Sequence, residues 1–352
     1  MKDLPTRRAL RCSIPILLAS FGVLAATTVG HAISPSAAAR LHVRADDLVA
    51  SMTNALSGLR LFTNPAAAIS REANALRRSR PQDAALLDRI ASQPTAHWIG
   101  GWARDLRGEV NLMVSTARAK GAVPVLVAYN IPNRDCGGHS EGGSRDAQGY
   151  GRWIREFASG LRGHKAIVVL EPDALGHLDC LDARGQLSRV EMLRDAVSVL
   201  KDHGATVYVD AGNARWVKAD VMAARLRSVA IDRADGFALN VSNFVPTPES
   251  VRYGERVAAQ VGGKHFIIDT SRNGIGGNGQ WCNPRGQALG AFPTTQTGNP
   301  LVDAFLWVKA PGQSDGPCNG GPAAGSFWTD YALELARNQP RQFALTASVA
   351  AR

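Results

Sequence analysis

The sequence predicts an α/β fold: one distorted, seven-stranded parallel β/α barrel of the TIM type, in a single domain. Three observations carry that expectation. Seven short apolar, β-branched runs lie at 96–100, 123–129, 166–171, 206–212, 236–242, 265–271 and 304–309. Most are separated by stretches of helical character, such as DAQGYGRWIREFASGLRG and LSRVEMLRDAVSVLKDHG. Polar side chains recur at the same end of successive runs. Strands that are apolar on both faces and joined through helices belong to a parallel sheet. Seven of them in about 290 residues suit one barrel better than two small domains.

Taken in order, the runs place their polar groups as follows. AHWIG (96–100) carries Trp98. VPVLVAY (123–129) ends in Tyr129, with Asp135 just beyond. AIVVLE (166–171) ends in Glu171, with Asp173 across Pro172. TVYVDAG carries Asp210, GFALNVS carries Asn240, and HFIIDTS carries Asp269 with Arg272 after it. AFLWVK (304–309) ends in Lys309, with Asp315 beyond. A lone Asp after a strand is commonly a helix N-cap. Recurrence over six strands fits a shared active face better, because barrel strands converge at their C-terminal ends.

The first 32 residues read as a signal peptide. A basic segment (Lys2, Arg7, Arg8 and Arg11 against Asp3) precedes the apolar run 14–30, and Gly30-His31-Ala32 supplies small residues for cleavage. The apolar run is short for a membrane anchor. Residues 33–57 read as a leader or peripheral segment, and 58–352 as the barrel. The formal charge of +10 invites a nucleic-acid reading. Removing the signal takes away four basic residues and one acidic one, leaving +7. No nucleic-acid-binding pattern accompanies the rest, so a basic exterior on an exported, extracellular or periplasmic protein is expected. No membrane contact is expected after cleavage, and the chain is expected to be a monomer.

Four cysteines remain after Cys12 is removed with the signal: Cys136, Cys180, Cys282 and Cys318. An even number in an exported chain points to two disulfides, with three pairings open. No CxxC or HxxxH pair suggests a metal. Gly274–Gly279 matches GxGxxG after a strand, but Pro284 blocks the helix a dinucleotide site requires. That stretch reads as a substrate loop, and no cofactor is expected.

Two segments are the most informative. VAYNIPNRDCGGHSEGG (127–143) presents Arg134-Asp135 and then a glycine-rich loop. VVLEPDALG (168–176) sets Glu171 and Asp173 on either side of Pro172 at the tip of a buried strand. A partly desolvated carboxyl there, close to a second carboxylate, stays protonated near neutral pH. That is the state a general acid needs.

These segments resemble the two signatures of glycoside hydrolase family 6, the inverting cellulases. YVDAGNARW (208–216), GFALNVSNF (236–244), IIDTSRNG (267–274), WCNPRG (281–286) and LWVKAPGQSDG (306–316) agree in order. The resemblance covers roughly residues 60–340. It implies hydrolysis of β-1,4-glucan without a cofactor, and the disulfides Cys136–Cys180 and Cys282–Cys318. It assigns Asp173 as general acid. Asp135 matches the aspartate that keeps that acid protonated and activates water through a water chain. Asp315 matches the residue proposed as base, with Lys309 and Arg272 holding it ionised. Tyr129 matches the ring beneath the distorted sugar. Inversion requires a water between acid and base, hence well-separated carboxyl groups.

Trp98, Trp216 and Trp281 fit sugar-stacking platforms, with Asn213, Asn240, Gln313, Lys309 and Arg272 as further substrate contacts. Trp153 and Trp328 read as helix packing, and Trp307 suits either role. Two positions depart from the family pattern: Asn213 where His is usual, and Gln313 where Glu is usual. Both keep hydrogen bonding but lose titration. The two loops between the paired cysteines look short, which favours endo action. Exo action, or glucan binding with little hydrolysis, are the alternatives.

Overall fold

The computed structural model describes residues 54–345. The signal and all but the last four residues of the leader lie outside the described residues. Among the described residues no helix is long and apolar enough to cross a membrane.

Seven strands form one parallel sheet in sequence order. They are β1 (His97–Gly100), β2 (Val125–Tyr129), β3 (Ile167–Leu170), β4 (Thr206–Asp210), β5 (Gly236–Leu239), β6 (His265–Asp269) and β7 (Val302–Leu306). The sheet curls until its edges touch. Thr95 and Trp307 make a parallel bridge, and the Ala96 amide donates to the Trp307 carbonyl at 3.0 Å. The seam between β1 and β7 is thus a single backbone bridge and not a ladder.

Helices α1 (Ala68–Leu76) and α2 (Pro81–Ala91) precede β1, and crossovers run through α3 (Leu106–Ala119), α4 (Ala147–Leu161), α5 (Ala183–Asp202), α6 (Ala219–Ser228) and α7 (Thr247–Ala258). Then follow α8 (Thr329–Arg337) and α9 (Arg341–Leu345). Three of these helices start with the same Asp-x-x-Gly device. Asp105, Asp146 and Asp182 each accept the amide of the glycine three residues on. At Gly108 the Asp105 carboxylate comes so close that a Cβ would lie 2.0 Å from its oxygen.

Period-two alternation explains why the strands are apolar throughout. Val125, Val127 and Tyr129 point inward with Ile167, Val169, Tyr208, Ile267 and Leu306. Leu126, Ala128, Val168, Leu170, Phe237 and Phe266 point outward onto the helices. Both faces are buried, as a sheet inside a helical layer demands. Leu56, fully buried, joins the interior cluster.

The last strand sits earlier than the run 304–309 suggests. β7 pairs through Leu306, and Trp307 turns outward to pack with Leu289 and Tyr331. Its indole nitrogen donates to the Ala291 carbonyl at 2.9 Å. This tryptophan is core. Asp303 is an extra residue between the Phe266–Val302 and Ile267–Ala304 pairs. The resulting bulge lets its carboxylate meet Tyr208 Oη at 2.6 Å and His265 Nδ1 at 2.7 Å.

Candidate active site

The loops following the strands carry most of the backbone strain. Asn133, Asp135 and Cys136 after β2, Glu171 and Asp173 after β3, and Asn240 and Ser242 after β5 all have positive φ between 47° and 69°. Left-handed backbone is costly for these residues and persists only where surroundings enforce it. At the β3 tip both residues flanking Pro172 are left-handed, and their carboxylates part. Glu171 turns into the protein, where it accepts the amides of Asn130 and Ile131 at 2.9–3.0 Å. Asp173 turns outward, half-buried, into a cleft of about 1110 Å³.

Burial pushes the Asp173 carboxyl well above the ordinary carboxylate range, and the negative charges of Asp210 and Asp135 push it further. Asp210, at the end of β4, accepts the Asp173 amide at 2.9 Å and is itself raised by burial to about 7. Asp135 opens a 3-10 turn (Asp135–Gly137) and accepts the Ser140 amide at 2.7 Å. Arg134 braces this loop through the carbonyls of Tyr129 and Ser140, both at 2.7 Å.

Asp315 has the opposite environment. Burial alone would raise it, but Arg272 at 2.8 Å and Lys309 at 3.1 Å hold it down to about 2. The Asn283 amide adds a third donor at 3.0 Å. Burial lowers the Lys309 ammonium. Asp315 therefore stays an anion where Asp173 stays an acid.

Asp135, Asp173, Asp315, Tyr129, Trp98, Trp216, Trp281, Lys309, Asn213 and Gln313 all line the one cleft. Trp98 meets Tyr129 edge-on with centroids 5.1 Å apart, and its indole nitrogen donates to the Val308 carbonyl at 2.8 Å. Trp216 and Trp281 are 38% and 55% exposed, so one face of each ring is open to a ligand. Asn213 spends its side-chain oxygen on the Arg215 amide at 3.0 Å.

Two expected substrate contacts are placed elsewhere. Asn240 is fully buried and does not line the cleft; its amide serves the Asp269 carbonyl and the Val245 amide. The neighbouring Asn243 lines the cleft instead. Arg272 is fully buried too and acts only from behind, through Asp315 and the Ser242 carbonyl. Asp269 braces the rim by accepting the amides of Ser242, Ser271 and Lys309. The disulfides join Cys136 to Cys180 and Cys282 to Cys318, tethering the loops of Asp135 and Asp315. Gly274–Gly279 forms no helix, and Gly277 and Gly279 line the cleft.

Sequence reasoning missed Trp102, His139 and His177 in the cleft wall. Trp102 is one helical turn's spacing from Trp98, in WIGGW, and 54% exposed. His177 follows Asp173 by four residues. Neither type stands out without the fold.

A parallel barrel with open indoles along its C-terminal cleft, a protonated carboxyl and a fixed carboxylate has the make-up of a glycoside hydrolase. The family model for glycosyl hydrolases family 6 matches residues 56–339, and the chain belongs to that family. Endoglucanase A of Cellulomonas fimi is 50% identical over 258 residues, covering 73% of this chain and 57% of that protein. Endoglucanase 1 of Streptomyces halstedii is 37% identical over 347 residues, covering 95% and 98%. The chain thus spans just over half of the first relative and nearly all of the second. Among solved structures, the endoglucanase Cel6 from Mycobacterium tuberculosis is 43% identical with a TM-score of 0.77, covering 81% of this chain and 99% of that one. That structure holds methyl-cellobiosyl-4-deoxy-4-thio-β-D-cellobioside. Endoglucanase CEL6B from Humicola insolens is 28% identical with a TM-score of 0.73, covering 83% and 100%.

Proposed function

We propose that the protein is an exported, monomeric, inverting endo-β-1,4-glucanase. The observation that carries the chemistry is the contrast within one cleft between a carboxyl kept protonated, Asp173, and a carboxylate kept ionised, Asp315. Asp173 donates its proton to the departing glycosidic oxygen. Asp135, on the same wall, keeps that proton in place by its charge and takes up the proton of the attacking water through intervening water. Asp315 is a poor proton acceptor when held at about 2 by two cations. Its fixed charge suits stabilisation of the oxocarbenium-like transition state. Tyr129 lies under the sugar at the cleavage point, and Trp98, Trp216 and Trp281 stack on flanking sugars.

Endo action is supported by the exposure of Trp102, Trp216 and Trp281 along the cleft. It is supported too by the endoglucanase relatives. The basic exterior lies outside a cleft whose working groups are acids, so nucleic acid is not the partner.

Hydrolysis of a soluble β-1,4-glucan by wild type and Asp173→Ala, with the first product anomer followed by NMR, tests the mechanism. The α-anomer is expected first. A β-anomer would sink inversion, and equal rates in both proteins would remove Asp173 from its role. Viscosity loss relative to new reducing ends separates endo from exo action.

A further inference from the structure

His177 lies in the short 3-10 helix Gly176–Cys180, one turn beyond Asp173. Its position ties three parts of the cleft together. Its amide donates to the Asp173 carbonyl at 2.8 Å. Its Nε2 faces Asp135 Oδ1 at 3.8 Å, on the oxygen not taken by the Ser140 amide. Its ring meets Trp216 edge-on, centroids 4.6 Å apart. The imidazole also lines the cleft, so it titrates in contact with solvent and ligand.

We infer that His177 is a positioning residue for Asp135: neutral, it leaves that carboxylate free to take a proton, and protonated, it locks it in an ion pair. The inference rests on the reading of Asp135 as the group that accepts the water's proton. The groups facing His177 favour the neutral form at rest. Burial lowers its pKa, the Asp135 charge opposes that, and Arg189 from α5 lowers it again. Arg189 is fixed on the carbonyls of Pro132, Asn133 and Ala174. Arg225 from α6 is occupied by Asp179 and the Leu175 carbonyl, so it supplies no competing partner for Asp135. As pH falls through the imidazole midpoint, a cation appears beside Asp135 and stabilises its ionised form. Proton uptake from water then weakens, and the acid limb of activity reports His177.

The test joins two readouts. Imidazole NMR follows the His177 midpoint in wild type and in Asp135→Asn; loss of the facing charge is expected to lower it by about one unit. An unchanged midpoint would overturn the coupling, whatever the enzyme hydrolyses. In parallel, the normalised pH profile of kcat on a soluble β-1,4-glucan is compared for wild type and His177→Gln. Gln keeps a nitrogen donor near the Nε2 position and cannot titrate, so the acid limb is expected to move to lower pH by a similar amount. A merely structural histidine would lower kcat at every pH and leave the limb in place, which would overturn the inference. Absence of hydrolysis by wild type would instead count against the proposed function, with the NMR result standing alone.

Discussion

The two walls of the cleft use the same residue type for opposite ends. On the β2–β4 wall, burial raises both Asp173 and Asp210, and the charges of Asp210 and Asp135 raise Asp173 further. On the β6–β7 wall, Asp315 sits between Arg272 and Lys309 and is stripped of its proton. Burial acts on both walls in the same direction. The placement of two cations decides the outcome, so identity as aspartate says little until neighbours are known.

The largest break in this contrast is Asp173→Ala. Removing the acid is expected to lower kcat by roughly 10²–10⁴-fold with a small effect on KM. Steady-state kinetics on a soluble β-1,4-glucan check this, and a loss confined to KM would contradict the role.

On the opposite wall, Arg272→Met leaves a buried carboxylate with one cation and strands the Ser242 carbonyl. Breaking a buried pair costs about 3–5 kcal/mol, measured as a drop in urea stability. The acid behaviour sharpens the point. The folded pKa of Asp315, about 2, lies below its ordinary 3.8. Its contribution is present above about pH 4 and is lost as pH falls towards 2. In Arg272→Met the folded pKa rises towards 3.8, so that loss is expected to be smaller and to be complete at higher pH.

Much of this was readable from the chain alone. Each of the seven runs became a strand, because residues apolar on both faces can be satisfied only inside a helical layer. Of the strand-end carboxylates, Asp135, Asp173 and Asp315 line the cleft, whereas Glu171, Asp210 and Asp269 are buried and do not. Departures arose where a side chain's direction depends on packing. Trp307 suits either role until the strand's alternation, with Ala304, Leu306 and Val308 inward, turns the indole outward to the helices. Asn240 reads like a rim contact, but its left-handed backbone turns the amide inward onto Asp269. Trp102 enters the cleft from a loop and His177 from a single 3-10 turn, neither with a periodic pattern. No spacing rule reaches them.

Glu171 offers a third, smaller test on the acidic wall. It is fully buried and raised by burial to about 7, against two backbone amides that lower it. A raised carboxyl binds its proton more tightly when folded. Stability is therefore full below its ordinary 4.5 and declines as pH rises towards 7. Gln in its place keeps one oxygen for both amides and cannot ionise. Glu171→Gln is expected to flatten the decline between pH 5 and 7 by about 2–3 kcal/mol at 1.4 kcal/mol per unit. Asp210 contributes in the same direction, so some slope should persist. An identical slope in variant and wild type would show that Glu171 is ionised in the folded state at little cost.

The smallest effect isolates one sugar platform from the acids. Gly176 has an ordinary backbone angle, but a Cβ there would lie 2.6 Å from the Trp216 ring. Gly176→Ala must therefore shift the indole and leave the carboxylates alone. Stacking of this kind is worth about 0.5–1.5 kcal/mol beyond buried area, so KM should rise by roughly 2- to 12-fold with kcat little changed. The displaced ring also loses its edge contact with His177. A fall in kcat as large as the rise in KM would mean that Trp216 supports the acidic wall through His177 as well as the sugar, and the platform would have to be counted among the groups that position Asp135.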